Sequence, residues 1–312
     1  MEHAELKQAL MEPAPGDRGG PSAPAASAVR VRGDRVSPQS CPTCGTAPAG
    51  NAENATPPVW IYAIGRIEAR FPKISVEKEF AQALGRDKTS GLTDRQVLHA
   101  ALSKPENRYL VRQLCWVMTI EGLETYILMP RDPADISLLV EALRPTPQPW
   151  DLDCAIGVRG PIAPPEICNG LMVPILFFDQ VYSFDRDSLI KAIPRPDKTS
   201  IKEFTPAAEE LFDRIMQMTD NAGASDEHRA VNYLALRYPR IYDGVAEAFA
   251  RNESLSAVDV HSSTLSGTRK IVEVIFSFTN RVTDVVSKQA VRVDVTEEFP
   301  FLVTKLSPYF DH

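Results

Sequence analysis

Five cysteines carry most of the metal and redox chemistry open to this chain, and two of them stand in the run Cys41-Pro-Thr-Cys44-Gly45. Two thiolates at this spacing, with a turn between them, can face one ion and make half of a tetrahedral zinc site. The other half must come from Cys115, Cys154 or Cys168. Cys115 falls on a predicted strand, and Cys168 precedes Asn169-Gly170, a tight-turn pair that aims a side chain outward. Cys154 lies in a short apolar strand and reads as a small buried hydrophobe. The expectation is a zinc tetrad of Cys41, Cys44, Cys115 and Cys168, closed and structural because every ligand is a thiolate. Two other readings stand beside it. One leaves Cys41 and Cys44 as free thiols. The other makes them a redox dithiol, although a thioredoxin-like pair opens a helix after a strand and no strand is predicted before Cys41.

Little else has catalytic spacing. His3, His99, His228, His261 and His312 are scattered singly, with no H-E-x-x-H and no helical pair. There is no G-x-S-x-G elbow and no glycine-rich phosphate loop. Glu121 and Glu124 flank a hairpin turn, and Glu297 and Glu298 adjoin; turn carboxylates are most often simply solvated. The proline-stiffened stretch 159–170 reads equally as a binding lip or a rigid connector.

The elements that position these groups form an α+β chain of two mixed α/β lobes with antiparallel sheets and a central helical segment. Residues 1–57, rich in Pro, Gly, Ala and Ser, read as a disordered tail holding the Cys41–Cys44 knuckle. The first lobe covers 58–195. Val59 to about Gly65 is a strand, Ser75 to Leu84 a helix closed by Gly85, and Thr93 with Gln96 a capping box for a helix to Leu102. Tyr109–Ile120 and Thr125–Met129 are strands joined at Glu121-Gly122, and Asp135–Leu143 is a helix. Asp153–Val158 and Leu171–Phe178 are strands, followed by a helix at Asp187–Ile193. The second lobe, 200–312, begins with helices at Ala207–Met218, with Pro206 at the first helical position, then Asp226–Leu236 and Tyr242–Arg251. It ends in strands at Val258–His261, Lys270–Thr279, Ala290–Val295 and Phe301–Leu306.

Of the 312 residues, 44% are hydrophobic, enough for a sizeable core, and the net charge is −7. That balance, without a basic stripe, argues against nucleic acid as a partner. The longest apolar run, Leu171 to Phe178, is far short of the ~20 residues of a membrane span. No secretory signal opens the chain, and an odd cysteine count suits reduced thiols, so a cytoplasmic protein is expected.

The stretches IYAIGRIEARFP, LTDRQVLHAALS, ENRYLVRQLCWVMTIEGLETYIL, IGVRGPIAPPEICNGLMVPI and SGTRKIVEVIFSFTNR resemble the C-terminal domain of the PatG family of cyanobactin maturation proteases, a likeness running from Val59 to Tyr309. The resemblance implies a role near ribosomally made, modified peptides, and a zinc-containing dimer with Cys41, Cys44, Cys115 and Cys168 at the family's cysteine positions. It carries over no protease chemistry, because the subtilisin-like part of those proteins has no counterpart here. The expected function is a non-catalytic accessory module with precursor peptide or maturation enzymes as partners. The rivals are a zinc-dependent peptide-modifying enzyme using Glu121 or Glu166 as base, and a homodimeric scaffold.

Overall fold

A computed structural model of the chain describes residues 57–84, 91–144, 151–192, 201–218, 220–263 and 267–310. Cys41, Cys44 and the expectations for the tail lie outside the described residues. The α+β class is as expected, and residues 58–312 form one compact unit.

The first half is a closed barrel. Its strands are β1 (Trp60–Arg70), β2 (Cys115–Ile120), β3 (Leu123–Pro130), β4 (Leu152–Ile162) and β5 (Pro174–Phe184). They run in the order β1-β2-β3-β5-β4, with β1 returning to β4, and β3–β5 is a parallel pair among antiparallel ones. This is the connectivity of the five-stranded Greek-key barrel of the OB type. Such a barrel closes because β1 serves two neighbours. Residues 60–65 pair with β4 and residues 66–70 with β2. Gly65 sits at the changeover, where a Cβ would come within 2.5 Å of the Thr119 carbonyl oxygen, so the bend there depends on a missing side chain.

Strand alternation sorts the side chains into two sets. Ile61, Ala63 and Ile67 of β1, Trp116 and Met118 of β2, Tyr126 and Leu128 of β3, Ala155 of β4 and Leu176 and Phe178 of β5 fall in one apolar cluster. A cluster fed by all five strands is the barrel interior. Its open end is stoppered by the helices α1 (Ile74–Leu84), α2 (Asp94–Leu102), α3 (Arg108–Gln113) and α4 (Ile136–Ala142), which add Phe80, Leu102, Leu110 and Leu139. The Thr93 capping box is present as expected, with the Gln96 amide donating to Thr93 Oγ1 at 3.3 Å and the Thr93 amide to Gln96 Oε1 at 2.9 Å. The strand expected from Tyr109 is corrected: 108–113 is helical and the strand starts at Cys115. Leu110, Val111 and Leu114 recur at helical spacing and all enter the interior, so burial overrides the strand propensity of the Tyr-Leu-Val run.

The second half opens with α5 (Arg186–Ala192) and α6 (Ile201–Met218), then α7 (Asp226–Arg237) and α8 (Arg240–Ala250). Pro206 lies inside α6, not at its first position, so the helix starts earlier than expected and does without one internal amide bond. A second sheet follows: β6 (Glu253–Ser262), β7 (Ile271–Asn280), β8 (Val286–Asp294), β9 (Phe301–Leu302) and β10 (Ser307–Pro308). Both β9 and β10 pair with β8, which leaves β6 as the outermost strand at the other side.

Residues 221–223 join the halves largely through backbone hydrogen bonds. The amides of Tyr62 and Ile64 donate to the carbonyls of Gly223 (3.2 Å) and Asn221 (2.9 Å), on the stretch of β1 that β2 does not pair. Asn232 of α7, fully buried, donates through Nδ2 to the Tyr62 carbonyl at 2.7 Å. Tyr126 Oη donates to the Ala222 carbonyl at 3.0 Å.

A second link is electrostatic. Arg131, just past β3, pairs with Asp179 of β5 at 2.8 Å and lies 3.8 Å from Glu298, beyond β8. Burial first, then a hydrogen bond with Asp179 and its charge, push the Glu298 carboxyl up to about 7. A carboxyl raised on folding stabilises the fold in full below its unfolded value of 4.5, and that contribution is lost as pH rises through about 7. Unfolding free energies from denaturant titrations should therefore fall between pH 5 and pH 8 by roughly 1–2 kcal/mol more in the wild type than in Glu298→Gln, after discounting for partial solvent screening. Equal slopes in the two proteins would refute this assignment.

Candidate functional site

Two of the expected zinc ligands meet. Cys115, the first residue of β2, and Cys168, in the loop between β4 and β5, are joined as a disulfide with Cα atoms 5.5 Å apart. Both are buried. Cys168 is brought in by the turn after it, where Asn169 and Gly170 take positive φ of 46° and 88°. Cys154 stands apart from this pair. It is a free, fully buried thiol on the outer side of β4, and burial pushes its pKa far up even though Tyr62 hydrogen-bonds to it. Its role as a core residue is as expected.

The loop 163–173 lies on the outer face of β2, β3 and β5. Val117, Ile127 and Ile175 are the strand residues of a second apolar cluster there, joined by Ala163 and both cysteines and flanked by Ile167, Leu171 and Phe177. A cleft of about 480 Å³ opens beside the loop, between Pro165, Glu166, Asn169 and Gly170 on one side and Pro72 and Lys73 on the other. Glu166 is exposed there, so the nearby sulfurs and the carboxylate proposed as a base lie in one region, but the sulfurs are inward and Glu166 is outward.

The other candidate base, Glu121, lines a different cavity of about 510 Å³, at the bend of β1 and the β2–β3 turn under the end of α6. Its walls carry Arg66, Glu68, Glu121 and Asp213, with Ile64, Leu152 and Met216 as the apolar part. Glu121 holds positive φ (50°) in the expected hairpin turn and accepts from Asn221 Nδ2 at 3.3 Å. Glu124 is turned away from it into an ion pair with Arg70. The cavity offers carboxylates and a guanidinium for holding a polar group by hydrogen bonds and charge.

The described histidines stay dispersed. His99 is on α2, His261 on β6, and His228 Nδ1 is 3.9 Å from Asp220. Among the described residues no three His, Cys, Asp or Glu groups converge as a metal site. Sequence reasoning missed the buried polar anchors. Asp153 accepts from the Ile67 amide at 2.8 Å and from Ser183 Oγ at 2.5 Å, and burial raises its carboxyl pKa. Arg229, fully buried in α7, reaches the carbonyls that follow β8. A lone Asp in an apolar strand and a lone Arg in a helix are the signals that mark them, and neither tells which partner it meets.

No helix among the described residues is long and apolar enough to cross a membrane. No curated protein matches the chain. Among solved structures, one described as "PatG Domain of Unknown Function" superposes with a TM-score of 0.63 at 17% identity, covering 80% of this chain and 98% of that one. At that identity the likeness shows the fold. The sequence pattern of the PatG domain matches residues 60–272, spanning the barrel, the helices α1 to α8 and the first strand of the second sheet, and on this match the chain belongs to the PatG domain family.

Proposed function

We propose that this chain is a non-catalytic accessory module in the maturation of ribosomally made, modified peptides of the cyanobactin kind, and that it binds a precursor peptide or a maturation enzyme. Family membership supports the setting. The observation that carries the binding mode is the outer strand β6. Among the described residues it is paired to β7 on one side only, and from Ser256 to Ser262 none of its residues is buried. An extended peptide can add there as a further strand, with backbone hydrogen bonds supplying affinity and alternate side chains supplying selectivity. Calorimetric titration with the precursor peptide encoded beside this chain should give saturable binding, and hydrogen exchange of residues 256–262 should slow in the complex. Failure to bind any peptide or enzyme of its own cluster defeats the reading; binding with protection elsewhere defeats the strand-edge mode alone.

Zinc belongs to the same proposal as a structural staple. The chemistry of Cys115 and Cys168 fits it. Both sulfurs are buried side by side, and two thiolates on one tetrahedral ion sit roughly 3.8 Å apart, a spacing reached from a direct S–S contact by small rotations. Cys41 and Cys44 are the sequence's candidates for the remaining two ligands. When bound, such an ion supplies folding free energy and no open position for water. Metal analysis of protein purified under reducing conditions should find about one zinc per chain, lost in a Cys41→Ser/Cys44→Ser variant. A metal-free wild type would remove zinc from the proposal and leave the peptide reading standing.

A further inference from the structure

The loop 163–173 is fixed to the barrel in an unusual way. Its ends are closed by the Ala163 amide donating to the Val173 carbonyl at 2.9 Å. Its other backbone hydrogen bonds are internal: Ile167 to Pro164 (3.1 Å), Gly170 to Pro165 (2.8 Å) and Leu171 to Cys168 (2.9 Å). Between Pro164 and Met172 the one buried residue is Cys168. The loop is thus a self-contained turn; its ends, Ala163 and Val173, pack into the cluster, and between them its grip on the barrel face consists of the Cys168 sulfur plus half-buried Ile167 and Leu171. On its flank toward Pro72 and Lys73 it leaves an open cleft rather than a packed contact. Underneath it, Val117 and Ile127 are all but inaccessible and Ile175 is buried. Those three side chains are outward-facing barrel residues, which in an uncovered barrel would meet solvent.

We infer that residues 163–173 are a lid over the outer face of β2, β3 and β5, latched by the Cys115–Cys168 linkage, and that breaking this linkage lifts the lid and exposes an apolar strip of Val117, Ile127 and Ile175. The hinges are the loop ends at Ala163 and Val173, and once the loop leaves the barrel face its short internal turns, no longer packed, open as well. The barrel does not need the lid to stay folded, because its interior is built by the opposite face of the same strands and by α1 to α4. With the sulfurs directly bonded, release is a thiol–disulfide exchange. A dithiol reductant attacks one sulfur, the Cys115–Cys168 bond breaks, two thiols form, and the reductant leaves as its own disulfide, having supplied two electrons and two protons. With the sulfurs held through one metal ion, a chelator releases the same lid. The inference does not depend on the peptide-binding reading.

Hydrogen exchange followed by mass spectrometry on the full chain tests it. In Cys115→Ser/Cys168→Ser the amides of residues 166–172 should exchange about 10-fold faster or more than in untreated wild type, while those of β2 and β3 keep their protection, and an apolar fluorescent dye should gain emission. Wild type treated with dithiothreitol or with EDTA provides the same comparison without a substitution, and decides the matter if the double variant does not fold. Opening by the thiol alone supports a disulfide latch, and opening by the chelator alone supports a metal latch. Unchanged exchange of 166–172 under both reagents overturns the lid. So does loss of protection in β2 and β3 together with the loop, since the segment would then be part of the core.

Discussion

Replacing Arg229 by Met should cost the fold about 3–5 kcal/mol, the range found when one partner of a buried ionic arrangement is removed. Arg229 sits in α7 and is among the largest fully buried side chains of the protein. Its Nη1 donates to the Val295 carbonyl at 2.8 Å and lies 3.2 Å from Asp226, and its Nη2 donates to the Glu298 carbonyl at 3.1 Å and to the Glu297 carbonyl. Burial lowers the guanidinium pKa and Asp226 works against that, and an arginine guanidinium keeps its charge in proteins. Methionine fills the volume but leaves three backbone oxygens without a donor, each worth about 1–3 kcal/mol when stranded away from water. Lysine keeps the charge and loses the fork. It should recover less than half of the loss, because one ammonium cannot span carbonyls two to three residues apart. Urea unfolding of the three proteins at one pH measures this. A loss below about 1 kcal/mol for Arg229→Met would mean that the 295–298 segment is not held by this residue.

Gly223→Ala should be nearly as damaging, by about 3 kcal/mol or more, and the damage should be local to the junction of the halves. Gly223 has φ of +60°, where an L side chain costs roughly 1 kcal/mol or more by itself. Beyond that strain, a Cβ built there overlaps the Tyr62 carbonyl, the same oxygen that Asn232 Nδ2 reaches at 2.7 Å. The obstacle is backbone inside a barrel strand, so no side-chain rotation relieves it. Backing away breaks the Tyr62–Gly223 and Ile64–Asn221 hydrogen bonds and bares a buried edge of β1. Amide exchange at Tyr62 and Ile64 should accelerate far more than at Val117 or Ile127, which face away from the junction. Gly267→Ala is a control for the left-handed strain alone, since its φ is +53° and nothing lies within 4 Å of a Cβ built there. If the two alanine variants lose the same stability, close approach is not what Gly223 provides.

These two positions mark where sequence reasoning ended. Features set within a few residues were legible. The Thr93–Gln96 box, the Glu121-Gly122 turn, the helices at 136–142 and 226–237, and the alternation in β8 all appear where local pattern put them. The long PatG-like stretches were also readable, because family signature is carried in linear order. The errors came where a distant partner decided the outcome. Residues 108–113 have strand-forming types, yet the interior of the barrel takes Leu110, Val111 and Leu114 at helical spacing.

The sequence by itself determined the α+β class and the kind and order of most elements, and the family was legible in its linear stretches. The class and the elements follow from periodicity, caps and turn residues, whose energies act between near neighbours. Only the tertiary structure decided that the first strands close into a barrel through a parallel β3–β5 pair, that Cys115 and Cys168 meet across a loop, and that α7 anchors both halves through Asn232 and Arg229. Strand alternation says which side chains share a face, but it is silent on which strand lies alongside which, because the backbone groups that make the pairing are the same in every residue.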